Sequence, residues 1–146
     1  MIPTLGRSGD SVTVLPTTTL SREIRDGFSQ SPVLEYAVYF FKAGVQNVKV
    51  YALPTHAITS EHGLRYAVSF DDQPPQVVDY DTKEWSRPWT VNVLRGCAVS
   101  ESSHSLSQPG QHILKIRMVD AGVVIDKIVI GNPPPSYLGP PETRIR

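Results

Sequence analysis

The chain has 146 residues, 40% of them hydrophobic, and its 14 Lys and Arg balance 14 Asp and Glu. That length suits one domain able to bury its own core, and the apolar content excludes a disordered chain. A neutral charge without a basic stripe argues against nucleic-acid binding, and no apolar run approaches the roughly 18 residues of a membrane helix.

The lone cysteine, Cys97, excludes an internal disulfide and a Cys-based zinc finger. The opening residues, MIPTLGRSGD, lack the basic and apolar regions of a signal peptide. Short β-rich runs then follow one another. They cover residues 11–15, 33–41, 48–53, 64–70, 76–80, 97–106, 112–119 and 123–130. In 33–41, Leu34, Tyr36, Val38 and Phe40 share a face, which makes Tyr36 a core candidate. In 64–70, Leu64, Tyr66, Val68 and Phe70 alternate with Arg65, Ala67 and Ser69, the period of a strand with one face on the core. Leu114, Ile116 and Met118 repeat the pattern, whereas 123–130 is apolar at most positions and predicts a strand covered on both faces.

Turn chemistry separates the runs: Asp71-Asp72-Gln73-Pro74-Pro75, Pro109-Gly110 and Asp120-Ala121-Gly122. Helix is scarce. Leu20, Ile24 and Phe28 stand four apart, enough for a turn or two, and 89–94 suits either a short helix or a strand. Turn signals every eight to twelve residues predict an all-β, antiparallel β-sandwich of eight or nine strands over residues 1–132. A proline-rich tail, 133–146, is expected to run extended along its surface.

Several segments together resemble one family. LGRSGDSVTVLP from Leu5, LEYAVYFF from Leu34, GLRYAVSFDDQPPQVV from Gly63, SHSLSQPGQHILKIRMVD from Ser103, GVVIDKIVI from Gly122 and SYLGPPE from Ser136 are similar, in order, to the C-terminal domain of glycoside hydrolase family 115, the xylan α-1,2-glucuronidases. Ala121 departs from that pattern, which usually has Pro there. The resemblance implies a jelly-roll sandwich like that of carbohydrate-binding modules. It also implies a parent enzyme that removes glucuronic acid or its methyl ether from xylan, with its catalytic groups in a separate barrel domain, and an extracellular or periplasmic location. The partners so implied are a xylan-type polysaccharide and the parent catalytic domain. The family pattern also has a strand before residue 1, carrying an acidic motif. Without it a neighbouring edge stands open, to be filled by a second molecule in a homodimer or by residues 1–5 folding back.

Read for chemistry, the residues offer no catalytic constellation. Glycosidases use paired carboxylates, and Asp71, Asp72, Asp79 and Asp81 cluster in sequence, but at strand ends and turns where Asp serves the backbone. No cofactor is expected, and calcium is the one cation that these oxygens could serve structurally. His104 and His112 flank the Pro109-Gly110 turn and could meet across a hairpin, but two imidazoles fall short of a zinc site. The positive hint is aromatic. Trp85 lies in the polar stretch DTKEWSRP, with Tyr80 before it and Trp89 after it, and Lys83 and Arg87 are near enough to meet a uronate carboxylate. These five residues are the candidate glycan contacts, although for Trp89 a core plug is the favoured reading. The resemblance thus implies a non-catalytic accessory domain that binds xylan or glucuronoxylan. The alternative is a structural domain that packs on the catalytic barrel or mediates dimerisation.

Overall fold

The structure, a computed structural model, describes residues 1–6, 9–22, 28, 30–58, 60 and 63–131. The predicted tail, and the helical turn expected over 20–28 beyond its flanking residues, lie outside the described residues. Nine strands and one helix are formed: β1 Ile2–Gly6, β2 Gly9–Thr13, β3 Val33–Phe40, β4 Gly44–Ala52, β5 Arg65–Phe70, β6 Gln76–Asp79, α1 Arg87–Arg95, β7 Ala98–Leu106, β8 Gly110–Met118 and β9 Val124–Ile130. One sheet has the order β1-β2-β9-β4-β7 and the other β3-β8-β5-β6, every pairing antiparallel. This is the expected all-β sandwich. No helix among the described residues is long and apolar enough to cross a membrane.

Alternation decides which side chains meet between the sheets. Tyr66, Val68 and Phe70 from β5, Leu114 and Ile116 from β8, and Val48, Val50 and Ala52 from β4 form the core. Phe40 and Phe70 meet edge to face at 5.5 Å between ring centroids. The Tyr66 hydroxyl is paired with Ser100 Oγ at 2.6 Å, and burial pushes its pKa up to about 12, with the Ser100 bond opposing.

Residues 1–5 fold back, as one of the two expected alternatives has it: β1 pairs antiparallel with β2 and covers that edge. Three local expectations are corrected. In β5 the alternate face is also buried, because Phe28, Val77 and Val119 pack over Ala67. In β9 only Val124 and Ile125 are fully buried and the rest is half-covered. Tyr36, predicted as core, is 42% exposed, because β3 is a sheet edge.

A buried ion pair ties the end of β8 to the start of β5. Asp120 accepts from Arg65 Nε at 2.7 Å, Arg65 Nη2 at 2.9 Å and the Arg65 amide at 3.1 Å. Burial pushes the Asp120 carboxyl up, but the bonds from Arg65 and Ser21 more than offset this and hold it below the ordinary carboxylate value. Because its folded pKa is depressed, its contribution is present above about pH 3.8 and is lost as pH falls through the folded value. Asp120→Ala should therefore lower the unfolding free energy by about 2 to 3 kcal/mol in urea titrations at neutral pH. The difference from wild type should shrink in acid.

Candidate functional site

The candidate residues fall on the segment that joins β6 to β7 around α1. A turn closed by Ser86 N–H to the Lys83 carbonyl, 3.1 Å, sets up the helix. Its third residue, Trp85, has φ +62°, a left-handed conformation that a bulky side chain rarely adopts. Ser86 is the N-cap, its hydroxyl accepting from the Trp89 amide at 3.3 Å, and Pro88 sits in the first turn, where a missing N–H costs nothing. Gly96, at φ +67°, ends the helix: its own amide reaches Val93 O and that of Cys97 reaches Asn92 O. Arg95 locks the exit by donating to Cys97 O at 2.7 Å and to Asn92 Oδ1 at 2.6 Å.

The helix is well capped but poorly covered, for none of its residues is buried. Arg87, Pro88, Val91, Asn92 and Arg95 face a groove of about 650 Å³, whose far walls are the Asp79–Asp81 stretch and the start of β7 through Glu101. Trp89, Val93 and Leu94 do not line it. They make the other side of the helix, where Leu94 is 82% exposed. Trp85, also 82% exposed, leans on Trp89 with centroids 5.0 Å apart and planes at 47°. The helix thus turns its more polar side to the groove, and on its other side exposed Trp85, Val93 and Leu94 form an apolar ridge around half-covered Trp89.

The five predicted residues are divided by this arrangement. Trp85 and Trp89 join in one aromatic unit, with Trp89 half-covered rather than a core plug. Arg87 stands in the groove and Lys83 on the exposed turn before the helix. Tyr80 offers no ring face for stacking: it is buried, 6.3 Å from the Tyr66 ring, with its hydroxyl 3.4 Å from Thr55 and its pKa raised by burial. Val93 and Leu94 were missed as surface residues. Their signal was the i, i+4 spacing of Trp89 and Val93, which sequence reading left between helix and strand.

The carboxylates and histidines are in structural service. Asp79 accepts the amides of Leu64 and Asp81, and Asp72 pairs with Lys115 at 3.2 Å. Among the described residues no three His, Cys, Asp or Glu side chains gather as metal ligands do. The hairpin expected between His104 and His112 is not formed, because β7 and β8 belong to opposite sheets and the Pro109-Gly110 turn bridges them. His104 bonds Ser102 Oγ at 2.9 Å and packs on Phe70, while His112 lies 5.8 Å from Phe40. Burial lowers the pKa of His104.

The Asp71 carboxylate accepts from the Ile113 amide at 2.8 Å and pairs with His112 Nδ1 at 2.7 Å. The bond to Asp71 raises the pKa of His112 against the effect of burial, and the Gln108 carbonyl adds to it. Burial pushes Asp71 up, but the Ile113 amide and then His112 hold it below the ordinary value.

The comparisons bear on this geometry. The chain matches the family model described as "Glycosyl hydrolase family 115 C-terminal domain" over residues 1–142. It belongs to that family. The family 115 domain is also similar to a solved structure described as "A novel family GH115 4-O-Methyl-alpha-glucuronidase, BtGH115A, with specificity for decorated arabinogalactans". The TM-score is 0.71 at 25% identity, covering 86% of this chain and 15% of that one. No curated protein matches the sequence. The family 115 domain is therefore an accessory domain, and catalytic activity in the family lies in another part of the enzyme.

Two outcomes follow. Ser86→Ala should destabilise by about 1 kcal/mol, read from thermal melts, through the lost cap. The raised pKa of His112 contributes stability that is complete below pH 6.5 and fades as pH rises through the folded value. The gap in melting temperature between wild type and His112→Gln should be widest in mild acid and narrow above neutrality.

Proposed function

We propose that this domain is the accessory module of an enzyme that removes glucuronic acid or its methyl ether from a uronate-bearing polysaccharide, and that it packs on the remainder of that enzyme through the outer side of α1. The ridge of exposed Trp85, Val93 and Leu94 around half-covered Trp89, at a helix with no buried residue, carries this reading. An apolar patch rimmed by polar groups is the signature of a protein contact, and Trp is the residue type that most often anchors one. A sugar platform wants an aromatic face ringed by hydrogen-bonding groups. Here aliphatic Val93 and Leu94 continue the ridge instead. The similar structure is of a much longer chain, which agrees with a domain built to be carried.

Glycan binding is the second reading, favoured by the groove beside α1, where Arg87 could meet a uronate carboxylate. Its ligand would be glucuronoxylan or, from the stated specificity of the similar enzyme, a decorated arabinogalactan.

In the full-length enzyme, Trp85→Ala combined with Leu94→Ala should split calorimetric unfolding into separate transitions, since a central Trp contributes about 2 kcal/mol or more to such a contact. The same substitutions in the 146-residue domain should leave its melting nearly unchanged, as exposed positions do. An unaltered transition in the full-length enzyme would contradict docking. Loss of retardation in gels containing glucuronoxylan or arabinogalactan, on Trp85→Ala alone, would transfer the ridge to glycan recognition.

A further inference from the structure

A β-sandwich of two open sheets has four edges, and here three of them are guarded. The short β1 carries Pro3, which cannot donate to a ladder. The four-residue β6 follows Pro74 and Pro75. The long β7 is polar, and two of its carbonyls are already taken: Gln76 Nε2 donates to Ser103 O at 2.7 Å and Gln73 Nε2 to Ser105 O at 2.9 Å. The fourth, β3, is guarded only by Pro32 just before its first residue. Among the described residues it pairs with β8 alone; it runs for eight residues without Pro or Lys and holds one charge, Glu35. No backbone hydrogen bond between described residues ends on its outer edge. Apolar side chains stand along it: Tyr39 is 62% exposed and Phe41, just past its end, 85%, the two rings meeting edge to face at 5.1 Å. Edges of this kind recruit another strand.

We propose that β3 pairs antiparallel with β3 of a second copy, making one continuous eight-stranded sheet across a two-fold axis at Ala37. Side chains that face each other across an antiparallel pair lie on the same side of the sheet, so the self-pairing is fixed by its centre. Centred on Ala37, the outer side sets Val33 against Phe41 and Glu35 against Tyr39, whose hydroxyl donates to the carboxylate. The inner side sets Leu34 against Phe40 and Tyr36 against Val38. The strand meets itself with no like-charge pair, whereas centring on Glu35 would oppose two carboxylates. Complementarity within one strand is what an isologous contact requires, and it favours a copy of this chain over an unrelated strand. The inference is independent of the α1 ridge, which lies on a different segment.

Sedimentation of the 146-residue chain over a concentration series tests it. Wild type should show a monomer–dimer equilibrium. Ala37→Lys, which sets two ammonium groups face to face at the axis, should weaken it about tenfold or more while circular dichroism stays that of the wild type. Tyr39→Glu should weaken it similarly by opposing Glu35, and Glu35→Lys added to Tyr39→Glu should restore association. A wild type that stays monomeric throughout overturns the proposal, and the edge then belongs to a strand from elsewhere in the parent enzyme. A dimer unaffected by Ala37→Lys and Tyr39→Glu also overturns it. Failure of the charge swap to restore association contradicts the register.

Discussion

The space between two sheets admits a fixed set of side chains, and the rest of this molecule is arranged by what that space cannot hold. Val48, Val50, Tyr66, Phe70 and Leu114 fill it to near-complete burial. The apolar side chains of α1 are left outside, as are Tyr39 and Phe41 at the end of β3. A nine-residue helix is too short to persist in water on its own propensity, and most helices draw their stability from a packed apolar face. In α1 the caps at Ser86 and Gly96 hold the ends, while Val93 and Leu94 stay exposed. The domain therefore presents a capped but uncovered helix.

The polar groups that sequence reading singles out as chemical are spent on closing the sandwich. Asp71 reaches from the turn after β5 to both the ring of His112 and the backbone of β8, which joins the two strands where their ladder ends. Asp120 does the same at the opposite end through Arg65. A carboxylate engaged with amides and a cation at both oxygens is poorly placed to act as the acid or base of a glycosidase pair. The arrangement fits an accessory domain, with Asp79 given over to the amides of Leu64, just before β5, and Asp81, just after β6.

Most of the architecture was legible because strands write period-two patterns. Tyr66, Val68 and Phe70 face the core as the alternation of 64–70 predicts. Legibility failed where a long-range neighbour decides the outcome. Ala67 and Ser69 read as a solvent face, but Phe28 and Val119 cover that side of β5, at a distance that no local pattern reports. The Pro109-Gly110 turn reads the same whether it closes a hairpin or bridges two sheets, so the separation of His104 from His112 could not be seen. At the candidate site the loop context of Trp85 correctly signalled exposure, and Tyr80, equally polar in its surroundings, is pinned in the core by its ladder-like bond to Leu64. The exposure of Val93 and Leu94 was not encoded locally, because an exposed apolar side has the same spacing as a buried one.

The central claim is that the outer side of α1 is a contact surface within a larger enzyme. Amide hydrogen exchange measured on α1 in the full-length protein and in the 146-residue domain compares the helix with and without its proposed cover. Slower exchange of the amides of residues 89–95 in the full-length protein, with the core strands exchanging alike in both, is the predicted result. Equal exchange of the helix in the two proteins would mean that its apolar side faces solvent in both, and would contradict the account.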